Sequence, residues 1–449
     1  MKVIIIGATI AGTTAVSQLI QSSNDHVDVT VYERSTKVAF VDAGVPLFLS
    51  KKIKHLDSLA LSSASDFTKL GVNMQLKHDV LKIDVQNHEV LVQDLDSNRQ
   101  FMDTYDKLIL ATGSVVTVPP IIGVTSNKVK LVKNYDTTQE LVKTLVGMKS
   151  IAIAGGGYLG VELAEALCSE HDVTLYQSRK YLLNHYYDEP MAETVCQLLT
   201  DHGVQVYLND SVSSFVDHGD HLEIVSDNRK TSYDLAIVCT GFMPLSSLVR
   251  GQVKLDRRGA VITNDFEQTS NHDVYAIGDV RTTRQNATNQ QQYLPQLTNA
   301  IRQAKIAALH INGYQLKDRG AQGTTALSIF DTTYSSAGIT QRIANKLNIP
   351  TKSVTYDGPY RATFMKDNAN ILVTLVYHAD NHRVLGIQIR CPHDVTQAAN
   401  TVSLAIQNHN TIEDLALTDM FFHPRYNRPV NFLNEVAMMA IEQDGKIVE

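Results

Sequence analysis

The sequence predicts an α/β protein built on two strand–turn–helix units of the parallel-sheet kind, closed by a smaller α+β segment. Three observations carry this. The apolar run Val3-Ile4-Ile5-Ile6 passes straight into a glycine turn, Gly7-Ala8-Thr9-Ile10-Ala11-Gly12. The same order returns after Ser150, where Ile151-Ala152-Ile153-Ala154 leads into Gly155-Gly156-Gly157-Tyr158-Leu159-Gly160. Beyond Gly313 no such turn recurs, and strand-like runs separated by turns take over.

Val3 to Ile6 reads as a parallel strand buried on both faces, since it has no polar alternation. Residues 13–20 carry helical spacing, with Ala15, Leu19 and Ile20 on one side, and residues 27–32 form a second strand ending on Glu33. Gly7 permits the turn, and Gly12 lets helix and strand pack closely. The helix N-terminus would offer free N–H groups and a positive dipole end to a pyrophosphate. Glu33 could accept hydrogen bonds from a ribose. Thr9 stands where a second glycine is expected, so a purely structural turn with a solvated Glu33 stays open on these residues alone. Residues 38–49 read as a loop leading into a short helix, and residues 80–92 as a strand or hairpin. Residues 105–113 end a buried strand in Ala111-Thr112-Gly113, and Val118-Pro119-Pro120 is a rigid connector at a domain boundary.

The second turn is a complete GxGxxG between a strand and a helix over residues 161–168, the pattern of a dinucleotide site. Its following strand, residues 173–176, ends not in an acid but in Gln177-Ser178-Arg179-Lys180. An acid there would bond the ribose 2′-hydroxyl and repel a 2′-phosphate, so its absence, with two cations following, favours tolerance of or preference for NADPH. An exposed loop pair, Arg179 and Lys180, is the bland alternative. Residues 234–241 and 274–279 are further strands, closing on Thr240-Gly241 and Gly278-Asp279. Asp279 could accept hydrogen bonds from a sugar-alcohol chain or merely cap a turn. Residues 299–311 read as an amphipathic helix. The C-terminal part reads as strands over residues 326–330, 353–356, 370–377 and 384–389, then helices over residues 395–407 and 432–441. Its histidines His378, His382 and His393 read as solvated or core residues, and the aromatic stretch 419–424 as a segment packed on the domain core or on a partner subunit.

At 449 residues there is room for about three domains, and 43% apolar and 19% charged residues are ordinary for a globular protein. The net charge of −7 gives no reason to expect nucleic acid or an anionic membrane as partner. Cys168, Cys196, Cys239 and Cys391 are widely spaced, so neither a disulfide framework nor a metal site is expected. With no leader and no long apolar run, a cytoplasmic location is expected.

Taken together, GATIAG, VYER, LILATG, GGGYLGVELAEAL, YYDEPM, VYAIGDV, LPQLTNA and TDMFFHPRYNRPVNFLNEVA, in this order, resemble the pyridine nucleotide-disulfide oxidoreductases, specifically the group of NADH oxidases, NADH peroxidases and coenzyme A-disulfide reductases. The resemblance spans essentially the whole chain. It implies two Rossmann-like domains: an FAD-binding domain over residues 1–118 and 242–317, interrupted by an NAD(P)H domain over residues 119–241. A C-terminal α+β dimerisation domain over residues 322–449 would follow. It places FAD against Gly7, Thr9, Ile10, Ala11, Gly12, Glu33, Arg34, Val80, Ala111, Thr112, Gly113, Asp279, Leu297 and Thr298. It places the nicotinamide nucleotide against Gly155, Gly157, Tyr158, Leu159, Gly160, Glu162, Gln177, Arg179 and Gly241. Tyr158 would cover the flavin until the nicotinamide displaces it. A homodimer would bring Phe421, Phe422 and His423 near the partner's flavin.

Two departures matter. Where the family carries a redox cysteine in S-F-L-S-C-G, this chain has Ala39-Phe40-Val41-Asp42-Ala43-Gly44, so Ala43 stands in the sulfur's place. Where the oxidases and peroxidases carry a histidine in the first turn, it has Ile10. Alanine forms neither a sulfenic acid nor a mixed disulfide, which removes peroxidase and disulfide-reductase chemistry. What remains is hydride transfer from NAD(P)H to FAD, then electron transfer to oxygen, giving hydrogen peroxide, or to a small acceptor. Asp42 is a candidate acid beside the flavin or a solvated capping residue. The other readings are a flavin- and nucleotide-binding sensor with little turnover, and a reductase of an unknown redox partner.

Overall fold

The computed structural model describes residues 1–23 and 26–445. The chain divides into two compact units. One contains Met1–Met148, Leu235–Thr283 and Gln291–Arg319; the other contains Lys149–Asp234, Arg284–Gln290 and Gly320–Glu449.

The first unit is built on a five-stranded sheet in the order Val274–Ala276, Lys107–Leu110, Lys2–Ile6, Asp28–Glu33, Asn73–Leu76, parallel throughout. Its residues alternate between two buried faces. Val3, Ile5 and Ile109 point to one side, where Ala11, Ala15 and Leu19 meet Ala300, Ala304, Ala307 and Ala308. The alanines keep helices Ile10–Ser22 and Leu297–Ile311 close to each other and to the sheet. Ile4, Ile6, Leu108 and Leu110 point to the other side, against Val80, Ile83, Val90 and Val92 of an antiparallel sheet formed by His78–Asp84, Glu89–Asp94 and Gln100–Thr104. The hairpin reading of residues 80–92 is thus what forms. Burial on both faces explains why the first strand shows an unbroken apolar run. The register aligns Ile6 with Tyr32 and Leu110, and Leu110 with Ala276. The strand ends therefore share one edge, and Lys2–Ile6 lies between Asp28–Glu33 and the later strand Lys107–Leu110, where the strand order reverses and a ligand crevice opens.

In the second unit, Ser150–Ala154 pairs in parallel with Asp172–Gln177, which pairs in parallel with Gln205–Leu208. A five-stranded antiparallel sheet follows in the order Thr325–Ile329, Thr332–Gly338, Val384–Cys391, Asn370–His378, Thr351–Pro359. Helices Thr396–Gln407, Ile412–Leu417 and Phe432–Gly445 pack on it through Val402, Ile406, Leu415, Val436 and Ala440. Asp188 ties the two parts of this unit together. Its carboxylate accepts the backbone N–H groups of Gln341 at 2.9 Å and Arg342 at 3.1 Å, the first turn of helix Gln341–Lys346. It also accepts Gln388 Nε2 at 2.7 Å, and its own N–H donates to Gln388 Oε1 at 2.6 Å.

The element order follows the sequence reading with small shifts. The first helix begins at Ile10, inside the glycine turn, because Thr9 is already its N-cap. His382 is not simply solvated: it bridges Glu413 at 2.6 Å and Asp444 at 3.3 Å. Phe421 and Phe422 are 69% and 48% exposed in the single chain, so the domain core does not cover them. No helix among the described residues is long and apolar enough to cross a membrane.

Candidate functional site

The first glycine turn leaves the central strand at the shared edge. Gly7 has φ +102, and a Cβ on it would strike the carbonyl of Ala111, while a Cβ on Gly12 would strike the carbonyl of Gly7. The turn is thus closed so tightly that only glycine fits, which sets the helix N-terminus against the strand ends. Glu33 reaches back to the turn: its carboxylate accepts the N–H of Ala8 at 2.7 Å and of Ser35 at 2.8 Å. Burial pushes the Glu33 carboxyl up, opposed by those two N–H groups. On the next strand Ala111 is buried, Thr112 Oγ1 donates to Leu245 O at 2.7 Å, and Gly113 (φ +69) faces open space. Thr9 and Thr298 are exposed; Ile10, Ala11 and Val80 are buried; Arg34 pairs with Asp79 at 3.0 Å; Leu297 opens the last helix of the unit. A tight glycine cradle, an acid at the second strand end and open space at the third fit a dinucleotide such as FAD.

Asp279 follows the fourth strand end in a 3-10 turn, Gly278–Val280. Ser114 Oγ donates to it at 2.9 Å, and Lys133 Nζ lies 3.8 Å from the same carboxylate oxygen. Lys133 also donates to Asp42 at 3.0 Å and sits 4.3 Å above the ring of Phe242. Burial pushes the Asp279 carboxyl up, with Lys133 and Ser114 opposing and Asp42 adding to the rise. The Tyr293 phenol is raised by burial and by Asp279. Ala43 lies in the short turn Asp42–Gly44, and Ile10 is 8% exposed. The cysteine within this unit, Cys239, is buried after strand Leu235–Val238; Cys168, Cys196 and Cys391 belong to the other.

In the second unit, the N–H of Gly155 donates to Tyr176 O at 2.8 Å and closes the turn, and Gly157 faces open space at the start of helix Tyr158–Leu167. Gly160 is buried in that helix, with Leu159 half-buried beside it. Tyr158 stacks edge-on to Tyr186 at 4.3 Å, lies 3.3 Å from the Tyr187 hydroxyl and bonds to Thr325. Gln177 is buried and donates to Tyr181 O at 3.1 Å, while Ser178 and Arg179 are exposed. Lys180 is paired with Glu189 at 2.9 Å; Arg179 has no carboxylate partner among the described residues. Gly241, in the first unit, has φ +102 and open space around it.

Glu162, on the face of this helix, has its carboxyl pushed up to about 7, first by burial and then by Glu165. A carboxyl raised in the fold contributes its full stability only below its free value of 4.5 and loses it as pH climbs to 7. Glu162→Gln stays neutral, so it is expected to exceed the parent by ~2–3 kcal/mol at pH 8. The gap should shrink toward pH 5, as read from unfolding midpoints at the two pH values. An equal gap at both would refute the burial argument.

Lys133, Ser114, Tyr293 and Thr325 escaped the sequence reading. Ser114 directly follows Thr112-Gly113 and could have been included on adjacency. Lys133 is 91 residues from Asp42 and Thr325 is 167 from Tyr158, and no local pattern links either pair.

Two dinucleotide turns, each opening on a helix N-terminus, with acids closing the strand ends of one sheet, define an oxidoreductase that binds two nucleotides. The model for pyridine nucleotide-disulphide oxidoreductases matches residues 1–304, and that for their dimerisation domain matches residues 324–431. The chain is 34% identical to an NADH oxidase of Enterococcus faecalis over 445 residues, covering 98% of this chain and 100% of the relative. It is 38% identical to the water-forming NADH oxidase of Lactobacillus brevis, solved with NADH, with a TM-score of 0.98 and complete coverage of both chains. A water-forming NADPH oxidase engineered from that enzyme, solved with NADPH, gives the same identity, TM-score and coverage. This chain belongs to the pyridine nucleotide-disulphide oxidoreductase family, and it is an FAD-dependent oxidoreductase using NAD(P)H, with a dimerisation domain at its C-terminal end.

Proposed function

We propose that the protein is an NAD(P)H oxidase that passes two electrons through FAD to dioxygen without a thiol relay, releasing hydrogen peroxide. The observation carrying this is the short turn Asp42–Gly44, in which the position aligned with the family's redox cysteine is Ala43, together with the buried, apolar Ile10 in the first glycine turn. The similarity to NADH oxidases supports oxygen as the acceptor.

Bound FAD would supply the two-electron exchange between hydride donor and oxygen. The chain's own residues do the rest. Gly7 and Gly12 seat the pyrophosphate at the N-terminus of helix Ile10–Ser22. Glu33 holds the adenosine ribose and Asp279 the sugar-alcohol chain. Gly155 and Gly157 present the second helix N-terminus to NAD(P)H, with Tyr158, Leu159, Gly160 and Glu162 lining that site.

NADPH is the preferred coenzyme in this reading. The strand Asp172–Gln177 ends without an acid, and Arg179 is exposed and free of a carboxylate partner among the described residues. The engineered NADPH oxidase has an aspartate replaced by alanine and its next two residues changed to arginine and serine. That combination, an acid removed with arginine and serine adjacent, has its counterpart here in Gln177-Ser178-Arg179. The exposed Phe421, Phe422 and His423 would approach the flavin of a second copy, and the cytoplasm is the place of action.

Anaerobic stopped-flow mixing of the FAD-loaded protein with NADPH, then with NADH, followed by air, tests the proposal. Full bleaching by NADPH and reoxidation with one peroxide per coenzyme is expected. Half an oxygen per coenzyme and no peroxide would mean water formation and overturn the thiol-free route. No bleaching by either coenzyme would leave a binding protein.

A further inference from the structure

The charged side chains around the FAD cradle are not arranged for binding alone. Lys133 is 24% exposed and is flanked by two carboxylates, Asp42 at 3.0 Å and Asp279 at 3.8 Å, above the face of Phe242. The segments bearing Asp42 and Lys133 are fixed against each other independently of this pair. Phe40 packs edge-on to Tyr135 at 5.7 Å, Lys37 lies over the same ring at 4.9 Å, and the Tyr135 hydroxyl donates to Asp57 at 3.0 Å. The backbone N–H of Lys133 itself donates to the Thr137 hydroxyl oxygen at 3.1 Å. The ion pair therefore sits on a built platform rather than at the tips of two free loops. One of its carboxylate neighbours, Asp279, belongs to the strand edge that receives FAD.

We propose that Asp42 and Lys133 form a charge couple that sets how readily the bound flavin accepts negative charge, and hence how fast its electrons reach oxygen. This rests on FAD occupying the cradle described above. Negative charge develops on oxygen as the electrons transfer, and a cation held in place at the FAD cradle would favour that, with no reorganisation needed at the moment of reaction. Asp42 works against the same field. Lys133 is the accelerating member and Asp42 the attenuating one, while Asp279 and Phe242 keep the ammonium in place when Asp42 is neutralised. In overall balance, NAD(P)H would supply two electrons and one proton to dioxygen, with bound FAD providing the two-electron exchange. One proton from solvent then completes hydrogen peroxide.

Two readouts test this, neither of which uses NAD(P)H. Sulfite, an anion whose addition to oxidised flavin leaves negative charge on the ring, is titrated against FAD-loaded protein by loss of the visible absorbance. Lys133→Met is expected to weaken sulfite binding ~tenfold or more, and Asp42→Asn to tighten it several-fold, with Lys133→Arg close to the parent. The double variant should fall between the singles. Protein reduced with dithionite is then mixed with aerated buffer. Reoxidation should slow ~tenfold in Lys133→Met and quicken in Asp42→Asn. Opposite signs for the two substitutions are the signature, since a merely structural role would move both the same way. Shifts of the same sign, or under about twofold in both, overturn the charge couple. If the reduced parent itself fails to reoxidise in air, the oxidase reading is what fails, and the sulfite titration still judges the couple.

Discussion

Arg179→Glu is expected to lower kcat/KM for NADPH by ~hundredfold while changing that for NADH by less than about threefold. A hydrogen-bonded charge on a 2′-phosphate is worth ~1.5–3 kcal/mol, and a carboxylate in its place adds repulsion, so ~3 kcal/mol is a fair expectation. At about 1.4 kcal/mol per tenfold, that is a hundredfold. The argument depends on Arg179 being available. Its neighbour Lys180 is held by Glu189 at 2.9 Å, whereas Arg179 is exposed without a carboxylate partner among the described residues. Steady-state assays with both coenzymes give the ratio directly. An unchanged ratio would show that Arg179 is an ordinary surface residue and would remove the case for NADPH.

Arg281→Met is expected to destabilise the first unit by ~3–5 kcal/mol and to reduce the FAD retained on purification. Arg281 is 3% exposed and bonds to Glu267, which is fully buried; Asp318 lies 3.6 Å away. Burial pulls the Arg281 guanidinium down to about 10, with Asp318 and Asp265 opposing. Removing the cation strands Glu267, which also has positive φ, without its buried partner. The companion change Glu267→Leu should restore much of the loss, because a buried ion pair replaced whole by apolar groups costs little. Thermal unfolding of both variants checks this, and a double variant no better than the single would refute it. The loss of flavin follows from position: Arg281 stands two residues after Asp279 and fixes the strand end that carries it.

The fold was largely legible because both parallel sheets are buried on two faces. Such strands show as unbroken apolar runs, and the tight Gly7–Gly12 contact demands glycine where the turn is closed. What stayed hidden was of two kinds. The three-stranded sheet of Val212–Asp217, Leu222–Ser226 and Lys230–Tyr233 buries only part of each strand, so its pattern is weak. The cluster joining Asp42 to Lys133 depends on tertiary folding alone. A lysine beside Val132 and Asn134 carries no mark of the carboxylate it meets 91 residues away. Glycine turns announce themselves because backbone constraint is local; charge pairing is not.

The anchoring of helix Gln341–Lys346 by Asp188 bears on how this chain can be recombined. The nucleotide domain expected from the sequence over residues 119–241, of which residues 149–234 lie in the second unit, reads as a module ready for exchange. Asp188 nevertheless supplies the acceptors for two N–H groups of a helix that begins 153 residues later in the chain, and for Gln388 beyond it. A transplant of the nucleotide segment alone would leave those donors facing a foreign surface. Coenzyme preference should therefore be grafted by point substitution around Gln177 to Arg179, or by moving the segment together with the dimerisation sheet as a single cassette.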